Sequence, residues 1–192
     1  EEYRQSLFVD AIVAPVKSKI KTAGDLRGRK LAYVPPLRDY VPVMLMSLGM
    51  TTTDVTLVET GFSSILGELA AGTVDAAWLV EPLICPLDTM QYRIVQPAAL
   101  ARYVNQPFPG AAVGFAPSFL DRSRVLPVRL KKSMDAAAAL IDTKTDEAKV
   151  TLGKYFNYCV SACGFCRIPE PQRLAEINKP AISALASRLA AA

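Results

Sequence analysis

From Phe8 to Val80 the chain alternates short β-rich apolar runs with short amphipathic helices, and this alternation constrains the fold more than any other feature. Phe8 to Ala14 is the first strand-like run and stops at Pro15. Further strands are predicted at Lys30 to Val34, Val55 to Val58 and Val74 to Val80. Between them, Val41, Met44, Leu45 and Leu48 fall at i, i+3, i+4 and i+7, which predicts a helix over about Asp39 to Leu48 before the stop at Gly49. Ser63 is placed to cap a second helix that runs through Ala71 and ends at Gly72. Strands and helices of this length in this order predict parallel βαβ crossovers and an α/β class.

One more strand is predicted at Arg93 to Val95 and a last one at Ala111 to Ala116, after a loop rich in Pro, Asn and Gln. Beyond Pro117 the pattern becomes helical. Leu130, Met134, Ala137, Ala138 and Ile141 share one face, Thr145 precedes Asp146 and Glu147 as a helix cap, and Leu174, Ile177, Ile182, Leu185 and Leu189 continue the apolar period around Pro180. The chain therefore divides into an α/β unit with a hinge strand at 1–113 and a helical segment at 114–192 that has no sheet of its own. Amphipathic helices need a surface to cover, so these are expected to pack on a sheet encoded upstream of Glu1.

Composition narrows the chemistry. The 192 residues are 51% hydrophobic, enough for one substantial core or two small ones, yet no apolar run reaches the length of a membrane span. A net charge of +4, spread thinly among 18 acids, makes no basic stripe, so nucleic acid is not an expected partner. The chain has no His, which removes the commonest general base and metal ligand and disfavours triad hydrolases and His-based metal enzymes. No catalytic residue and no cofactor are expected.

In an open parallel sheet, ligands collect outside the carboxyl ends of the strands. Three segments meet that condition: Pro35 to Asp39, Gly61 to Ser64, and Trp78 to Pro82. The first two lead into helix N-termini, whose unpaired N–H groups favour a polar or anionic group. The candidate ligand-binding residues are Pro36, Arg38, Asp39, Tyr40, Phe62, Ser63, Ser64, Trp78 and Glu81. Arg38 offers a charged fork for carboxylate, phosphate or sulfonate, or is a solvated surface side chain. Tyr40, Phe62 and Trp78 offer stacking for a flat ring or simply pack, and Glu81 accepts from a ligand amine or from a local backbone N–H.

Cys159, Cys163 and Cys166 form a Cys-x3-Cys-x2-Cys run whose spacing resembles the cluster motif of radical S-adenosylmethionine enzymes. Its position in a helical tail, with little chain left for a barrel, argues against that reading. Iron or zinc held by the three thiolates, a disulfide between two of them, and helix-packing thiols are the alternatives. Cys85 stands alone and is expected to be buried.

The segment Ile20-Lys21-Thr22-Ala23-Gly24-Asp25-Leu26-Arg27-Gly28-Arg29-Lys30, together with Leu69-Ala70-Ala71-Gly72-Thr73-Val74-Asp75-Ala76-Ala77-Trp78 and the following Glu81-Pro82, resembles the solute-binding proteins of ABC importers. The likeness is to the thiamine-precursor, nitrate and sulfonate binders, and Phe108-Pro109-Gly110 with Pro117 to Leu120 is similar to their return into the first lobe. The resemblance implies a type II periplasmic-binding fold in which two α/β lobes close on a small polar solute and deliver it to a membrane permease. It places the loops at Pro36 to Tyr40, Phe62 to Ser64 and Trp78 to Glu81 in the cleft. The implied location is periplasmic or extracellular, with a lipid anchor as one option and any signal segment outside these residues. A second reading is a cytoplasmic enzyme similar to the fungal thiamine-pyrimidine synthases, which share the fold and carry a Cys-rich iron segment.

Overall fold

A computed structural model describes residues 2–3, 9–111, 114–123, 125–156 and 177–192. Its centre is a five-stranded sheet built from β2 (Asp10–Pro15), β3 (Lys30–Tyr33), β4 (Thr56–Glu59), β5 (Ala76–Val80) and β6 (Tyr92–Pro97), in the order β4-β3-β5-β2-β6. β3 runs parallel to both β4 and β5, as the crossover pattern predicts. β2 is different: it lies antiparallel to β5 and to β6, so the sheet is mixed. An apolar run carries no sign of its direction, which is why the sequence left this open. The short strands β1 (Glu2–Tyr3) and β7 (Phe108–Pro109) form a separate antiparallel pair.

The helices begin and end where local chemistry predicts. α1 (Tyr40–Ser47) buries Val41, Val43, Met44 and Leu45, and its C-cap Leu48 hands over to Gly49 at φ 69. α2 (Ile65–Ala71) closes on Gly72 at φ 70, a left-handed conformation that a Cβ disfavours. Its N-cap is Ser64 rather than Ser63, and no side-chain bond is made there. α2 packs across β5, β2 and β3, while α1 packs with a five-residue turn of π-helix at Leu100–Val104.

The core follows from strands apolar on both faces. Ile12, Leu31, Trp78 and Leu79 are fully buried, with Met44, Leu45, Ile65 and Leu69 packed over them. Fully burying one such aliphatic side chain is worth about 2–3 kcal/mol, so this unit has a substantial core.

The expected strand at Ala111 to Ala116 does not form at the described positions Ala111 and Gly114 to Ala116; Ala112 and Val113 lie outside the described residues. Instead α3 (Pro117–Arg122) starts behind Ala116, and Phe119 stacks on Phe115 at 5.6 Å. α4 (Val125–Thr143) and α5 (Thr145–Phe156) follow and contact each other. Thr145 is not a cap but the first residue of α5, and its hydroxyl donates to the Ile141 carbonyl at 2.8 Å. None of the nineteen residues of α4 is buried. α6 (Lys179–Ala191) rests against β7 and α1 and buries Ala181 and Leu185. Arg188 Nη1 there donates to the Val104 carbonyl at 2.8 Å.

Candidate functional site

Parallel pairing places the carboxyl ends of β3, β4 and β5 on one edge of the sheet. Tyr33 is in register with Glu59 and with Trp78, and Val80 faces Asp10, where antiparallel β2 begins. Thr60 N–H donates to the Tyr33 carbonyl at 3.0 Å, so the β4 exit is tied to the β3 exit. The Pro35 to Tyr40 and Gly61 to Ser64 segments rise from this edge, as expected from the sequence.

Pro36 lies in a short 3-10 turn (Pro35–Leu37) and is exposed, as are Arg38 and Asp39. Tyr40 is half-buried, edge-on to Phe108 at 5.0 Å between ring centroids, and burial raises its phenol pKa above the ordinary value, with Asp39 adding to the rise. Packing therefore accounts for much of its surface. Phe62 is 41% exposed and Ser63 and Ser64 are exposed, which leaves the ring free to meet a flat ligand.

Two expected contacts change character. Trp78 is fully buried, and its indole N–H donates to Asp10 Oδ2 at 2.8 Å, so it belongs to the core rather than the cleft surface. Glu81 accepts the Cys85 N–H at 3.1 Å, a local backbone contact of the kind the sequence allowed.

Arg38 is not a free fork. Its Nε donates to Glu59 Oε2 at 2.5 Å and its Nη2 to Glu59 Oε1, a bidentate pair at the β4 exit. Arg38 holds the Glu59 carboxyl below its usual range, and burial together with the neighbouring Glu59 raises Tyr33. Sequence reasoning missed Glu59 because no spacing rule links residues 21 positions apart on different elements.

Asp10 was missed as well. It is fully buried at the start of β2, where Oδ2 takes both the Trp78 N–H and the Leu100 N–H, at 3.0 Å, while Oδ1 has no hydrogen-bond partner. Burial pushes its pKa up to about 6, against the pull of those N–H donors. A usable signal was present: an Asp inside an apolar run needs donors, and a lone Trp needs an acceptor.

The cysteines also differ from expectation. Cys85 is half-buried rather than buried, and it is disulfide-bonded. Cys159, Cys163 and Cys166 lie outside the described residues. A separate shallow cavity of about 400 Å³ opens by Ile84, Leu87, Tyr92 and Arg93 and includes none of the expected site residues. It opens at the opposite edge of the sheet from the Pro35 to Tyr40 and Gly61 to Ser64 segments, where Tyr92 is in register with Pro15.

The NMT1/THI5-like family model matches residues 6–107, which include the whole central sheet. The chain belongs to this family. No curated protein matches the chain. Among solved structures, the chain is similar to the periplasmic aliphatic sulphonate binding protein SsuA of Escherichia coli. That match has 16% identity and a TM-score of 0.74, and covers 96% of this chain and 63% of that one. It is also similar to the alkanesulfonate-binding SsuA of Xanthomonas axonopodis pv. citri, bound to MOPS, with 16% identity, a TM-score of 0.71, and 99% of this chain against 65% of that one. A desulfurization enzyme, DSZB, shares the fold at 17% identity and a TM-score of 0.56, over 96% of this chain and 68% of that one. The chain thus spans slightly under two thirds of the length of either sulfonate-binding protein. Its fold is the α/β fold of these periplasmic binding proteins.

Proposed function

We propose that this NMT1/THI5-like chain is the solute-binding component of an ABC importer, holding a small polar solute at the carboxyl edge of its sheet and delivering it to a membrane permease. The observation that carries the reading is the junction of β3, β4 and β5 exits, with Pro36, Arg38, Asp39, Tyr40, Phe62, Ser63 and Ser64 on the segments that rise from it. The work is recognition by closure, with no covalent step. Trp78 and Glu81 support that edge from beneath.

The α/β unit at 1–113 is one lobe, and the helical segment at 114–192 belongs to the other, with α6 at its end returning to pack on α1 and β7. The bare α4 and the one-third of each sulfonate binder left uncovered both support a sheet supplied from outside these residues. The disulfide at Cys85 supports an oxidising compartment, hence a periplasmic or extracellular location. It also weighs against the cytoplasmic iron-enzyme reading, which calls for reduced thiols.

The test is a thermal-shift screen of the full-length gene product with nitrate, short sulfonates and aminopyrimidines. A hundredfold excess over Kd contributes about 2.7 kcal/mol, which is a rise of several degrees in Tm. Phe62→Ala is expected to weaken that shift without lowering the Tm of the unliganded protein. No shift with any solute, together with bound iron and free thiols, would transfer the assignment to the enzyme reading.

A further inference from the structure

The charges of the α/β unit are sorted between the two edges of its sheet. Lys17, Lys19, Lys21, Arg29 and Lys30 lie at the amino edge, where β3 begins and β2 ends. Arg27 is there too, paired with Asp54 and donating to the Gly49 carbonyl at 2.9 Å. Around the β3, β4 and β5 exits the described residues include one cation, Arg38, beside the carboxylates of Asp39, Glu59 and Glu81, while Arg102 lies on the turn behind β6. Arg38 is already answered. Its Nε–Nη2 edge, the side-on fork that a sulfonate or nitrate would use, is held by Glu59, which sits on β4 in register with Tyr33.

The other donors expected for an oxyanion are weak here. α2 has only seven residues, and α1 begins behind Asp39, whose negative charge opposes an incoming anion. Resting on the solute-binding reading of this same edge, we propose that the Arg38–Glu59 pair closes this lobe to free oxyanions, making Glu59 the residue that selects an uncharged or cationic solute with hydrogen-bond donors. Phe62 then meets the flat face of that solute, and the Asp39 and Glu59 carboxylates accept from its N–H groups. An oxyanion must instead displace a tethered carboxylate and remain beside its charge. Because the pair is partly exposed, with Arg38 64% accessible, the combined discrimination is on the order of tenfold rather than absolute.

The experiment is isothermal titration of the full-length gene product, wild type, Glu59→Gln, Arg38→Ala and Lys19→Ala, with ethanesulfonate, nitrate and a 4-aminopyrimidine as probes. The expected result is that wild type binds the aminopyrimidine at least tenfold more tightly than either anion. Glu59→Gln, which frees the guanidinium, is expected to strengthen anion binding about tenfold and weaken aminopyrimidine binding, with an unchanged circular-dichroism spectrum. Lys19→Ala, at the amino edge, should leave aminopyrimidine binding within about threefold. Tight wild-type binding of ethanesulfonate or nitrate, lost in Arg38→Ala, overturns the selectivity and leaves the binding function intact. Failure of all three probes to bind wild type at millimolar concentration removes both.

Discussion

α1 and α4 are both helices with an apolar face, and they meet opposite fates. α1, eight residues long, buries Val41, Val43, Met44 and Leu45. α4, with nineteen residues, buries none, and Leu126 (48%), Leu130 (44%) and Met134 (42%) remain accessible along one side. Propensity and periodicity are therefore sufficient to form a helix but not to give it a core. The difference lies in what stands opposite. α1 packs against the Leu100–Val104 turn and α6, so its face is covered by chain far downstream in sequence. α4 has α5 beside it, and among the described residues no strand packs on it extensively.

Mutations that test this contrast are expected to separate sharply by size. Trp78→Ala should cost about 3–5 kcal/mol in urea unfolding, since it empties the centre of the sheet and leaves Asp10 Oδ2 without one of its two donors. A loss below 1 kcal/mol would mean that Trp78 is not a core residue.

Asp10 is expected to make stability depend on pH. Its folded pKa, about 6, lies above the ordinary 3.8, so the folded state holds the proton more tightly. The stabilising contribution is complete below about pH 3.8 and is lost as pH rises through 6, up to about 3 kcal/mol in all. Asp10→Asn should flatten that slope while keeping an acceptor for Trp78 and Leu100. Wild-type and variant curves that run parallel from pH 4 to 7 would refute this assignment of charge.

Smaller effects sharpen the contrast further. Gly72→Ala should cost about 1 kcal/mol, from backbone conformation alone, because an added Cβ meets nothing within 4 Å. Leu130→Ala should change the stability of this chain by less than about 0.5 kcal/mol. Leu45→Ala, on the buried face of α1, should cost about 2–4 kcal/mol. Equal effects of the two substitutions would break the comparison between α1 and α4.

The pattern of legibility follows the same divide. The ends of α1 and α2 could be read within one or two residues, because Gly49 and Gly72 act through φ at their own positions. The β3–β4 and β3–β5 crossovers could be read because a helix of that length between two apolar runs leaves few other geometries. The antiparallel sense of β2 could not, and neither could the pairing of β7 with β1, since pairing partners are chosen by distant chain. The site divided in the same way. The loops were correctly placed at the strand exits, but the bonds that decide the roles of Arg38 and Trp78 come from Glu59 and Asp10, 21 and 68 residues away.

The most direct test of the cleft assignment is hydrogen exchange on the full-length gene product, with and without whichever solute raises its Tm. Added protection is expected at residues 35–40 and 60–64, with no change at 17–30. Protection confined to 84–94 or to α4, with residues 35–40 and 60–64 unaffected, would contradict a binding site at the carboxyl edge of the sheet.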